Sequence, residues 1–143
     1  ETGKKLNTYA RKYLRENKYD FDHGTGHGVG YFLNVHEGPQ SISSGSKVKF
    51  LPGMIISNEP GYYKAKSYGI RIENLVTVKK TQDKYKLETL TLAPIDKQLI
   101  EKSLLTQKEV NWINSYHKKV YKRLEKFLKP TEKKWLKHEC ARL

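Results

Sequence analysis

Residues 22–39 read DHGTGHGVGYFLNVHEGP, with three histidines and five glycines in one short stretch. Gly24, Gly26, Gly28 and Gly30 alternate where strand-forming side chains would ordinarily sit. Glycine weakens a strand, and it is favoured where a second backbone or a ligand must come close. The glycines alone fit a turn that happens to carry histidines equally well. The histidines shift the balance. His23 and His27 are four residues apart, so on a strand they share a face, which suits two groups converging on one site. His36 closes the run YFLNVH, while His117 and His138 lie far away in the C-terminal third.

Two glutamates stand in equally distinctive settings, Glu59 in SNEPGYY and Glu73 in GIRIENLV. Glu59 ends the apolar run MIISN just before Pro-Gly, which places its carboxylate at a strand terminus. Glu73 interrupts a run flanked by Ile72 and Leu75. Burying a carboxylate there is costly unless it is paired or bound to a metal. An edge strand with Glu73 facing water and paired with Arg71 explains that segment equally well by itself. Beside Glu59 and His27 the metal reading prevails, because carboxylates with an imidazole form a hard, oxygen-rich ligand set.

Composition narrows the class. At 143 residues the chain suffices for one domain with a core, or for part of a larger one. No apolar run approaches the roughly 18 residues of a membrane helix, and ETGKKLNTYARKY lacks the features of a signal peptide. The expectation is a soluble protein with no membrane partner. The lone cysteine, Cys140, makes no internal disulfide, so a reducing, cytoplasmic setting is expected. The net charge of +13 is spread along the chain as scattered lysines, without the aromatic interleaving of a nucleic-acid platform. A solvated lysine-rich surface is expected, and no nucleic-acid partner.

Periodicity predicts a helix over residues 4–17, with Leu6, Tyr9, Ala10, Tyr13 and Leu14 on one stripe and Asn17 as its stop. YFLNVH, MIISNE and GIRIENLVTV are predicted strands. So is 85–95, with Leu87, Leu90 and Leu92 buried. Residues 40–53, polar and Gly/Ser-rich, are expected to form a surface loop. Thr106 and Glu109 predict a capping box opening a long amphipathic helix that Pro130 ends. Its stripe is Trp112, Ile113, Tyr116, Val120, Leu124, Phe127 and Leu128. A short helix around Trp135, Leu136 and Cys140 follows.

The blocks HGTGHGVGYFLNVHEGP, LPGMIISNEPGYY and YGIRIENLVTV, in that order and spacing, resemble the C-terminal part of the catalytic domain of eukaryotic-type Xaa-Pro aminopeptidases. These are pita-bread metallopeptidases, a group that includes prolidase and methionine aminopeptidase. LTLAPID, LLTQKEVNWINSYHKKVYKRLEKFL and WLKHE resemble the family's helical extension. The resemblance implies an α+β fold: the C-terminal half of a pita-bread fold, with a curved antiparallel sheet and helices over 1–95 and a helical extension over 96–143. It implies removal of the N-terminal residue from peptides with proline second, through attack by a metal-activated water. The cofactors implied are two divalent ions, manganese in this family. His27, Glu59 and Glu73 would be metal ligands, with Glu59 also shuttling a proton. His23 would hydrogen-bond the scissile carbonyl. His36 would hold the proline side of the substrate, and Tyr63 would line the pocket. Arg71, on the face of Glu73, would support the site and its substrate from behind the metal ligands. A homodimer is implied as well.

The family's site uses five protein ligands, and two of them, aspartates, have no counterpart here. Asp20, Asp22, Asp83 and Asp96 do not replace them, and Asp22 stands where glycine is expected. The expectation is therefore a fragment that needs the upstream half of the enzyme. Prolidase and methionine aminopeptidase are the near rivals. A non-catalytic pita-bread module that binds peptides or proteins is the rival from another class; such modules generally lose ligands that this chain keeps.

Overall fold

Glycine's missing side chain lets the strand Gly26–Val29 approach a neighbouring strand and the segment that precedes Ser41–Ile42. A Cβ at Gly26 would collide with the Ser57 carbonyl oxygen, and one at Gly28 with that of Glu37. The computed structural model describes residues 1–32 and 34–143, and they form two compact units, Glu1–Thr91 and Leu92–Leu143.

The first unit opens with α1 (Gly3–Glu16), whose C-cap is Asn17. Its strands are β1 (Gly26–Val29), β2 (Ser41–Ile42), β3 (Ile55–Asn58), β4 (Gly61–Lys64), β5 (Tyr68–Arg71), β6 (Asn74–Lys80) and β7 (Tyr85–Thr89). Five form a sheet in the order β2-β1-β3-β6-β7, and β4 with β5 makes a separate hairpin. Every pairing is antiparallel, with Gly28 opposite Ile56 and Ile56 opposite Val76. Ile42, Phe50, Ile56, Val76 and Val78 form the core, with Leu6 and Met54 packed against it. Removing such surface from water is the main favourable term in forming the sheet.

Several expectations are corrected here. Residues 40–53 are not merely a surface loop: β2 joins the sheet, and Ile42 and Phe50 are buried. GIRIENLV is two strands, because the chain leaves the β4–β5 hairpin at Ile72–Glu73 and enters the main sheet at Asn74. Leu87, on the edge strand β7, and Leu90, just past its end, are both exposed. Tyr31 and Phe32 sit in an exposed turn and residues 34–36 carry no regular structure, so YFLNVH is not a strand in its described part; Leu33 lies outside the described residues. Helix α1 forms as expected, yet its fully buried face is Gly3, Asn7 and Arg11, while Tyr9 and Tyr13 are exposed.

In the second unit, α2 (Gln107–Leu124) starts with the expected box. The Thr106 N–H donates to Glu109 Oε2 at 2.8 Å, and the Glu109 N–H donates to Thr106 Oγ1 at 3.3 Å. Helix α3 (Pro130–Glu139) follows a short 3₁₀ turn at Glu125–Phe127. Pro130 therefore opens a helix rather than ending one, consistent with its missing N–H at a first helical position. Tyr116, Val120 and Leu136 form the core, and Leu92, Ile95, Leu124 and Leu128 pack on it. Trp112 and Phe127, expected on the packed stripe, are mostly exposed. His117 is fully buried; burial, aided by the charge of Lys97, pushes its pKa down.

Replacing Gly26 by alanine forces β1 away from β3, and we expect a loss of about 1–3 kcal/mol in urea unfolding, the usual cost of overpacking. Gly45→Ala, where the added methyl meets open space, is the control and should be silent.

Candidate metal centre and substrate cleft

Two neighbouring strands bring the first pair of side chains together. His27 lies in β1, and Glu59 directly follows β3. Ser57 ties them: the His27 N–H donates to Ser57 Oγ at 2.9 Å, and Ser57 Oγ donates to Glu59 Oε1 at 2.8 Å. The Glu59 N–H donates to the Thr25 carbonyl at 2.8 Å, extending the contact between the two strands. His27 Nε2 then stands 3.3 Å from Glu59 Oε1, with the carboxylate largely buried.

The partners assign the ring. His27 Nδ1 lies 3.0 Å from the Gly28 carbonyl, which can only accept, so Nδ1 carries a proton. In the neutral imidazole Nε2 is then a bare electron pair facing a carboxylate oxygen. Two electron-pair donors at that separation call for a cation between them or a proton on the imidazole.

The hairpin supplies the opposite wall. Gly61 pairs with Arg71, so Tyr63, two residues on, lies on the same face as Arg71. Gly69 opposite Tyr63 leaves room for the ring; a Cβ there would come within 2.8 Å of it. Arg71 Nε donates to the Tyr63 hydroxyl at 2.9 Å, and Tyr63 Oη lies 2.8 Å from His23 Nε2. His23 Nδ1 donates to the Gly24 carbonyl at 2.7 Å, so Nε2 accepts the Tyr63 proton. Arg71 also reaches Glu59 Oε2 at 3.4 Å. Tyr63, and after it the charges of Glu59 and Glu73, outweigh burial and raise the pKa of Arg71.

These groups enclose a cleft of about 260 Å³ lined by His23, Gly24, Gly26, His27, His36, Glu59 and Arg71. His36 is exposed, with its ring 4.3 Å from that of His27. Glu73 is exposed in the two-residue break between β5 and β6, and Asp22 faces solvent. Among the described residues no group of three or more His, Cys, Asp or Glu side chains could hold a metal ion. His27 and Glu59 meet as a pair, suited to a hard divalent cation that further donors complete.

Ser57, Thr25, Asn7 and Arg11 escaped the sequence reading. Ser57 alternates within MIISNE and is indistinguishable there from a core-facing serine. Arg11 looks like one more cation of a lysine-rich helix. In fact it is buried, donating to Asp20 Oδ1 at 2.5 Å.

Residues 1–80 match "Metallopeptidase family M24", and residues 83–143 match "C-terminal region of peptidase_M24". The chain belongs to metallopeptidase family M24. It is 44% identical to a probable Xaa-Pro aminopeptidase P of Botryotinia fuckeliana, with 99% of this chain and 24% of that protein covered. The crystal structure of the X-prolyl aminopeptidase from Caenorhabditis elegans, described as a cytosolic enzyme with a di-nuclear active site, covers the whole chain at 38% identity, with a TM-score of 0.89 and 25% of that protein covered. The X-Pro aminopeptidase of Thermotoga maritima covers 65% of the chain and 25% of its own at 40% identity, with a TM-score of 0.56. The chain thus spans about a quarter of the length of these relatives. Its fold is the C-terminal part of the pita-bread architecture, α+β as expected.

One prediction concerns the Arg11–Asp20 pair. Burial alone would raise the Asp20 pKa, but hydrogen bonds from Arg15, the Phe21 N–H and Arg11 bring it from 3.8 to about 2. A carboxyl lowered on folding stabilises above its unfolded pKa. The contribution should be complete above about pH 4 and vanish towards pH 2. Asp20→Asn should therefore reduce stability at pH 7 and flatten the acid limb of a stability–pH curve.

Proposed function

We propose that this chain is the C-terminal part of an Xaa-Pro aminopeptidase, removing the N-terminal residue from peptides with proline at the second position. The observation that carries this reading is the His27–Glu59 pair at 3.3 Å, facing the chain Arg71–Tyr63–His23 across one cleft. The similarity to Xaa-Pro aminopeptidases over nearly all of the chain supports it.

His27, Glu59 and Glu73 would hold two divalent ions, manganese in this proposal, together with two aspartates from the remainder of the polypeptide. Bound there, the ions would polarise the reacting carbonyl and lower the pKa of a water. The chain's own groups do the rest. Ser57 fixes the Glu59 carboxylate so that one oxygen faces His27 and the other faces Arg71. Glu59, held next to the reacting centre, can carry a proton towards the leaving proline nitrogen. In this reading His23 would hydrogen-bond the reacting carbonyl, and the contacts of its ring with Tyr63 and Arg71 support a fixed position there. His36, exposed at the cleft, would hold the proline side of the substrate.

A cytosolic location, as described for the C. elegans enzyme, and a homodimer belong to the same proposal. No helix among the described residues is long and apolar enough to cross a membrane. Trp112, 51% exposed and stacked on Tyr116, and Phe127, 74% exposed, offer the second unit an apolar surface for self-association.

His27→Ala in the complete polypeptide should lose at least about 100-fold in turnover of an Xaa-Pro peptide and lower the metal content. Undiminished turnover would overturn the proposal, as would full activity of residues 1–143 alone the need for further ligands. Light scattering tests the dimer: a dimer for the complete protein and a shift towards monomer with Trp112→Asp are expected, while monomer throughout would refute it.

A further inference from the structure

We propose that Arg11 is a positioning residue for His23, a buried clamp by which α1 sets where the cleft imidazole stands. The proposal rests on the peptidase reading of the cleft. It starts from a side chain that touches nothing in the cleft but grips the segment that carries His23.

Arg11 is 7% exposed, and its guanidinium spends its donors in several directions. Nε donates to Asn7 Oδ1 at 2.9 Å, one turn back along α1. NH1 donates to Asp20 Oδ1 at 2.5 Å and to the Phe21 carbonyl at 2.7 Å. NH2 donates to the His23 carbonyl. The guanidinium carbon lies 3.8 Å from the centre of the Phe21 ring, and that ring packs 4.7 Å from the His23 imidazole. Asn7 Oδ1 also accepts from Thr25 Oγ1 at 2.7 Å.

Residues 20–25 are thus held at Asp20, Phe21, His23 and Thr25 from one face of one helix. The far end is held too, because the Thr25 carbonyl accepts the Glu59 N–H. His23 has no regular secondary structure to fix it. With its Nδ1 bonded to the adjacent Gly24 carbonyl, the ring's position follows from where the backbone is placed. A planar fork of five donors can serve acceptors in several directions at once. A lysine ammonium concentrates its charge at one point and cannot. This accounts for two polar side chains, Asn7 and Arg11, among the buried residues of α1.

The test uses the complete polypeptide loaded with Mn²⁺ and an Xaa-Pro peptide. Arg11→Lys should lower kcat by about 10–100-fold, the usual range for groups that orient a functional side chain, with KM and metal content unchanged. Combined with His23→Ala, it should add no further loss, because a clamp is redundant once its imidazole is gone. Unchanged kcat in Arg11→Lys, or an equal loss in both backgrounds, would overturn the proposal. If Arg11→Lys does not fold, Asp20→Asn, which removes one acceptor of the guanidinium, goes through the same cycle with the same two outcomes. Full activity of His23→Ala would overturn the reading of the cleft and the clamp with it, whereas additivity upon a crippled His23→Ala overturns the clamp alone.

Discussion

The close approach of β1 to β3 is the contact from which the site is built. It exists because Gly26 has no Cβ to strike the Ser57 carbonyl. Once the strands meet, the His27 N–H finds Ser57 Oγ, that hydroxyl finds Glu59, and the carboxylate finds the imidazole. A backbone constraint thus sets the geometry of two ionisable side chains. Their energetic cost in a partly buried cleft is offset by hydrogen bonds the backbone has already placed.

The hairpin β4–β5 contributes differently. Its strands pair only with each other, so Tyr63 and Arg71 belong to a small two-stranded unit rather than to the five-stranded sheet. Besides its short backbone links to β3 and β6, the hairpin is bridged to the rest of the site by Glu59 and His23. Exposed ion pairs hold little energy, so the partly exposed Arg71–Glu59 contact aligns groups more than it stabilises the fold. The Arg11 cluster has the opposite character, with the guanidinium buried and bonded to Asn7, Asp20 and two carbonyls.

Much of this was legible in the amino-acid order. Alternating glycines pointed to close backbone approach, and MIISN ended in Glu59 as its pattern required. The T-x-x-E box marked the start of α2. What failed did so for definable reasons. Ile42 and Phe50 sit among serines and lysines, and local composition hides that two such residues complete a core. Leu87 and Leu90 are leucines in a β-branched and apolar run, but local composition does not say which face of an outer strand is covered. Pro130 begins α3 and ends no helix, a distinction that depends on where α2 has already stopped, at Leu124. Arg11 could not be told from its neighbours, because the acceptors that reward its burial, Asp20 and the Phe21 and His23 carbonyls, lie nine to twelve residues away.

The bonds around Tyr63 have a polarity. Arginine can only give protons, so the tyrosine oxygen receives from Arg71 and must hand its own hydrogen to His23 Nε2. At rest that nitrogen is an acceptor, and an acceptor cannot grasp a carbonyl oxygen. In the role proposed for it, His23 Nε2 could donate to a peptide carbonyl only after gaining a hydrogen, by protonation of the ring or by a shift from Nδ1. As it stands the imidazole has no free donor: one nitrogen gives its hydrogen to the Gly24 carbonyl and the other receives the phenol's.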